Sequence, residues 1–421
     1  MQGNAKDSVL AMSAHQQSVV ILGAGHAGGS AAFLLRQFGW CGAITLIGNE
    51  ACLPYHRPPL SKSWLKGEVE LSSLAIRPSK LYVDQNIKVS LKTQVLKIDR
   101  CGKRVILSDG SEVPYDKLII ALGARPRTLS IPGISLGGVF ELRSLCDADR
   151  LRDALCPGAT LAVIGGGYVG LETAASAKSL GVHTVVIERE TRVLARVASE
   201  ALSRFVERQH RARGVTLELG SMVQALEGKN GQVVAVRLID GRAIRTDTVL
   251  IAVGAKANDE LARHAGFLCE DGVVVDQEAK TSDADVYAIG DCSLRKLPYD
   301  GRTARFESIS NANEQAKQAA ASICRRPPPK VEVPWFWSDQ FDLKLQMAGL
   351  PDCADECVVR GSTSNARIAV FYLSPDRRIT SVETVNAPAE FMAGKSFISK
   401  ALPIVEARLC DPSVSMSDIA A

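Results

Sequence analysis

Two glycine-rich turns, each set between an apolar strand and a helix of small residues, constrain this chain more than any other feature. The first unit reads as strand Ser18–Leu22, turn Gly23–Gly28, helix Gly29–Phe38 and strand Ala43–Ile47. The second reads as Thr160–Ile164, Gly165–Gly170, Leu171–Leu180 and Thr184–Ile187. In such a unit the first glycine permits the tight turn. The second lets the backbone approach a pyrophosphate, and the third lets the helix pack on the strand. The helix N-terminus adds N–H donors and the positive end of its dipole. Two such units on one chain imply two dinucleotides, and the economical chemical reason is a flavin reduced by a nicotinamide.

The rest of the chain agrees with α/β domains built on parallel sheets. Lys117–Leu122 runs into Gly123, and Thr248–Val253 runs into Gly254; both read as crossings between domains. A further strand, Asp285–Ile289, ends at Gly290-Asp291. Pro327-Pro328-Pro329 is a stiff break. Beyond it, Arg367–Leu373 and Arg378–Asn386 flank a Ser374-Pro375-Asp376-Arg377 turn, and a helix is expected over Ala389–Ala401. The expected domains are a discontinuous flavin-binding one (18–122 and 251–326), a nicotinamide-binding one (123–250) and a C-terminal α+β one (327–421). Residues 1–17 read as a mobile extension, because their apolar run is too short for a signal peptide.

Length, charge and cysteine usage narrow the class. A chain of 421 residues, 46% hydrophobic and 23% charged, fits a soluble globular protein of about three domains. A net charge of +4 is too small to make nucleic acid the main partner. Ser18–Leu35 carries no acidic or basic residue, but four glycines and His26 mark it as strand–turn–helix, not a membrane span. No membrane anchor is expected. The 11 cysteines contain no C-x-x-C pair, which suits reduced thiols in the cytoplasm. Cys353 and Cys357, the only close pair, have no His or Cys cluster beside them, so no metal site is expected.

The acidic residue that ends the second strand of each unit tunes ribose recognition. In the second unit it is Glu188, whose carboxylate can accept from both ribose hydroxyls and would repel a 2′-phosphate. This favours NADH over NADPH, with Arg189 and Arg192 pulling the other way. In the first unit the position falls at Asn49 with Glu50 beside it, and either could hold the ribose.

Leu53-Pro54-Tyr55-His56-Arg57-Pro58-Pro59-Leu60-Ser61-Lys62 resembles a motif of the FAD-dependent ferredoxin reductases. Gly290-Asp291-Cys292, the run Glu307–Ala316 and Pro334-Trp335-Phe336-Trp337-Ser338-Asp339-Gln340 resemble that family's later motifs, in the same order. The resemblance implies two Rossmann-like dinucleotide-binding domains arranged as in glutathione reductase, plus a C-terminal α+β domain. It also implies tightly held, non-covalent FAD and NADH as co-substrate. By that resemblance Gly23, Gly25, Ala27 and Gly28 hold the FAD pyrophosphate, with Asn49 or Glu50 at its ribose and Val95 at its adenine. Arg143, Asp291 and Ile309 also contact FAD, and Trp337 is a further cofactor-binding residue. Gly165, Gly167, Tyr168, Val169 and Gly170 hold NADH, with Glu188 at its ribose and Gly254 nearby. Lys62 and Glu172 are the implied catalytic pair.

Hydride transfer to the flavin would then be followed by single-electron transfer to a 2Fe–2S ferredoxin supplying a cytochrome P-450 type monooxygenase. Basic residues outnumber acidic ones two to one between Asp291 and Lys330. An acidic ferredoxin is therefore expected near Arg295, Lys296, Lys317 and Trp335/Trp337. The alternatives are an NADH oxidase or other small-molecule reductase, and a redox-dependent binding protein of the apoptosis-inducing-factor type.

Overall fold

The computed structural model describes residues 17–297, 301–352, 354–361 and 366–421. The expected extension falls almost wholly outside them, as does Cys353. The chain divides into two compact units: 17–56, 71–125 and 256–331 form the first, and 57–70, 126–255 and 332–421 form the second.

Unit 1 is built on a parallel sheet in the order Val286–Ala288, Lys117–Ile120, Ser18–Leu22, Ala43–Ile47, Ile87–Ser90. Alternate residues of its central strand enter different cores, because side chains alternate across a strand. Val19 and Ile21 pack with Ala31, Leu35 and Ala316 of two helices, His26–Gln37 and Ile309–Ile323. Val20 and Leu22 pack with Val95, Ile98 and Val105 of an antiparallel three-stranded meander, Val95–Asp99, Arg104–Leu107 and Glu112–Pro114. A sheet covered on both faces is what the uninterrupted apolar strand signals.

Unit 2 repeats the plan. Its parallel sheet runs Thr216–Leu219, His183–Glu188, Thr160–Ile164, Thr248–Ile251, Val139–Phe140. Leu161 and Val163 meet Leu171 and Ala174 of the helix Tyr168–Ser179. Ala162 and Ile164 meet Leu226 and Val236 of a second meander.

The C-terminal region is an antiparallel sheet ordered Trp335–Gln340, Leu343–Gly349, Ile379–Val385, Ile368–Leu373, Glu356–Arg360. The expected hairpin closes at Ser374, whose N–H donates to Arg378 O at 2.9 Å. One face of this sheet packs on the helix Pro388–Lys400 through Phe391 and Phe397. Leu343, Leu345, Ile368, Val370 and Val385 join the core of the Rossmann-like sheet in unit 2. The spans 123–250 and 327–421 thus lie largely in one unit. Residues 57–70, inside the expected flavin span 18–122, also belong to it, with Leu65 in that same core.

Both Rossmann helices begin three residues earlier than expected, at His26 and Tyr168. Their N-caps are the middle glycines, Gly25 and Gly167, in extended backbone conformation.

Candidate functional site

The two fingerprints fold into matching cradles. Gly23 and Gly165 have φ of +110° and +112°, a region closed to most side chains. A Cβ on either would lie 2.2 Å from Ala121 O or 2.4 Å from Ala252 O. A Cβ on Gly28 would lie 2.0 Å from Gly23 O, and one on Gly170 would lie 2.2 Å from Gly165 O. These four glycines are demanded by packing. Gly25 and Gly167 differ: a Cβ there meets nothing within 4 Å. Among the described residues, open space faces the helix N-terminus at both and no side chain caps either helix, and neither helix has an acidic residue in its first turn. Unpaired amides and a positive dipole end therefore stand ready for an anion.

In unit 1 further expected residues collect around the carboxyl ends of the strands. Ala27 approaches Gly290, where a Cβ would lie 3.0 Å from the alanine methyl. Asp291 follows in the turn Gly290–Cys292. Gln315 secures that turn by accepting from Gly290 N–H and Ser293 O–H, each at 2.8 Å. Ile309 opens its helix one residue after the N-cap Ser308. Asn49 is exposed; Glu50 is half-buried and accepts from the Tyr55 hydroxyl at 2.6 Å. Val95 is buried at the start of the meander. His26 is partnered by Asn313 at 3.0 Å, and burial pushes its pKa down to about 4.

In unit 2 Glu188 is held in place. Its Oε2 accepts from Gly166 N–H at 2.6 Å and its Oε1 from Glu190 N–H at 2.9 Å. The carboxylate is thereby tied to the glycine loop itself. Tyr168 packs against Phe336 with the rings tilted and their centroids 4.7 Å apart, and burial raises its hydroxyl pKa. Val169 is exposed. Gly254 has φ +111°, and its carbonyl accepts from Arg127 N–H at 2.9 Å. Arg143 is half-buried, with its carbonyl accepting from Arg57 at 2.8 Å. Trp337 is half-buried, 5.5 Å from Trp335.

Lys62 and Glu172 form an ion pair at 2.7 Å, with side chains 16% and 6% exposed. Lys62 follows the short 3-10 helix Pro58–Ser61, and its ammonium also donates to Pro58 O at 3.2 Å. Glu172 accepts from Ser61 on Oε2 and from Ser338 on Oε1, each at 2.6 Å. A buried charge pair needs this kind of hydrogen-bond support. Ser61 and Ser338 carried no role in the sequence reading, although both lie in motifs that it singled out.

The family model for pyridine nucleotide-disulphide oxidoreductases matches residues 17–316, and the model for the reductase C-terminal domain matches 335–420. The chain belongs to the pyridine nucleotide-disulphide oxidoreductase family. It is 46% identical over 405 residues to a probable ferredoxin reductase, CtmF, of Castellaniella defragrans, covering 96% of this chain and 99% of that one. It is 41% identical to putidaredoxin reductase, CamA, of Pseudomonas putida, covering 96% and 97%. Its structure superposes on putidaredoxin reductase in the covalent complex with putidaredoxin with a TM-score of 0.93 at 40% identity, covering 96% and 98%. This oxidoreductase therefore stands among the ferredoxin reductases, in a family that binds FAD and uses NAD(P).

The residues present in the reductase fit those groups, since each cradle offers an open, uncapped helix end beside a backbone-lined turn. Among the described residues no cysteine is disulfide-bonded and no cluster could hold a metal ion. No described helix is long and apolar enough to cross a membrane. One expectation is corrected. Arg295 is not a surface cation: it is 6% exposed and paired with buried Glu314 at 3.0 Å. In the strand Ser293–Lys296 the first three residues are buried, Arg295 among them, and only the last, Lys296, is exposed. Lys317 is exposed, and Asp300, counted in the local charge balance, lies outside the described residues.

Proposed function

We propose that the protein is an NADH-specific reductase that passes electrons singly to an acidic 2Fe–2S ferredoxin of a cytochrome P-450 type monooxygenase system, in the cytoplasm. The observation that carries this reading is the pair of matching cradles, with the Lys62–Glu172 pair in place and no C-x-x-C in the chain. Bound FAD supplies the conversion of an electron pair into single electrons. The protein's own groups do the rest. Amides at Gly25 and Gly167 bind pyrophosphate, and Asp291 and Ile309 orient the FAD. The Lys62 ammonium is a fixed positive charge that favours electron density arriving beside it. Glu172 keeps that ammonium in one place.

Glu188 carries the nucleotide preference. Anaerobic titration should bleach the yellow protein with NADH at least about 30 times faster than with NADPH, because a 2′-phosphate meets a carboxylate that cannot move away. Glu188→Ala should bring the two rates to within about threefold of each other. Equal rates in the wild type would remove the preference, and a colourless protein that cannot take up FAD would remove the whole reading.

Ferredoxin docking is assigned, within unit 1, to the exposed cations Lys296 and Lys317. Lys296→Glu with Lys317→Glu should raise KM for ferredoxin about tenfold at low salt, an effect that fades as salt screens it. An unchanged KM would place the ferredoxin elsewhere. Arg295 is left out of this test, since reversing a buried charge would destabilise the fold.

A further inference from the structure

A directed series of hydrogen bonds lies behind Glu172, entirely within unit 2. His210 Nε2 is 2.8 Å from Gln340 Oε1, Gln340 Nε2 donates to Ser338 Oγ at 3.1 Å, and Ser338 Oγ donates to Glu172 Oε1 at 2.6 Å. His210, Gln340 and Ser338 are each 0% exposed. Ser338 and Gln340 reach the same side because they are two apart on one strand.

The direction of the series follows from chemistry. A carboxylate paired with Lys62 only accepts, so Ser338 must donate to it. Ser338 Oγ then accepts from the Gln340 amide, which turns Gln340 Oε1 toward His210. That oxygen only accepts, so His210 must carry its proton on Nε2. His210 Nδ1 is then a bare lone pair, and it is buried without a hydrogen-bond partner among the described residues. The ring is held neutral, because burial pushes its pKa down to about 4.

We propose that Ser338 is a positioning residue for the Lys62–Glu172 pair, oriented by Gln340 and by the Nε2–H tautomer of His210. Lys62 and Ser61 both hold Glu172 Oε2, so without Ser338 nothing in this series fixes Oε1 and the carboxylate can turn about its last torsion. Lys62 would turn with it. The importance of this for turnover rests on the role proposed above for Lys62; the tautomer does not.

Two measurements on the FAD-loaded protein test the proposal. Nitrogen-15 NMR of histidine-labelled wild type should show His210 as the neutral Nε2–H form, and Ser338→Ala should give a mixture of tautomers. In stopped-flow reduction by NADH, Ser338→Ala should slow the limiting rate about tenfold while the Kd for NADH stays within about twofold. Ser338→Thr, which keeps the hydroxyl, should recover most of the rate. An Nδ1–H tautomer in the wild type, or an unchanged limiting rate in Ser338→Ala, would overturn it. Should Ser338→Ala fail to fold, the wild-type tautomer and the Thr variant decide. Failure of NADH to bleach the wild type would strike the flavin reading instead and leave the tautomer result standing.

Discussion

Gly25→Val should yield a folded, colourless protein. A Cβ at Gly25 meets nothing within 4 Å, so the larger side chain has room in the apoprotein. The space it fills is where a pyrophosphate would approach the amides of the helix His26–Gln37. Losing two charge-assisted hydrogen bonds there costs about 3–6 kcal/mol, which weakens FAD binding by roughly a hundredfold or more. Gly28→Ala should behave differently. Its methyl would lie 2.0 Å from Gly23 O, and backbone cannot yield as a flexible side chain does. That variant should lose soluble yield, not just colour. Far-UV circular dichroism and FAD titration of the two proteins separate the effects. Tight FAD binding by Gly25→Val would mean that the cradle does not hold the cofactor.

Lys62→Met should slow flavin reduction by NADH about 10²–10³-fold, the usual cost of removing one fixed electrostatic donor from a reacting centre. The Kd for NADH should stay within about threefold, since the role assigned to Lys62 is not nucleotide binding. The chain should remain folded, because Glu172 keeps the Ser61 and Ser338 hydroxyls as partners. Glu172→Gln retains the shape but leaves Lys62 without its counter-charge, and a smaller loss of about tenfold is expected. Stopped-flow traces with saturating NADH measure both. A Lys62→Met rate within threefold of wild type would remove Lys62 from the reaction.

The two strand–turn–helix units were legible in order and kind, with their helix starts three residues off, because strand alternation and glycine requirements are local. Gly23, Gly28, Gly165 and Gly170 sit where their conformation or packing demands them. The meanders after Ile87–Ser90 and Thr216–Leu219 escaped notice, since short strands with exposed positions such as Val95–Asp99 lack a run of buried residues. The C-terminal sheet was half seen: its central hairpin carries a turn signal, whereas Trp335–Gln340 and Glu356–Arg360 do not announce their partners. Arg295 and Lys296 are two adjacent cations in a basic run, and only the packing around them, with Glu314 brought in from a distant helix, separates a buried ion pair from a surface charge.

The sequence by itself determined that two dinucleotide cradles exist, which glycines build them, and that no C-x-x-C pair is present to carry the electrons. Those features depend on residues close together along the chain, where backbone geometry leaves few choices. Only the tertiary structure decided that Glu172 is gripped by Ser61, Ser338 and Lys62, and that Gln340 and His210 stand behind it. Those residues are scattered along the chain, and sheet register and helix packing bring their side chains together, which no local pattern records.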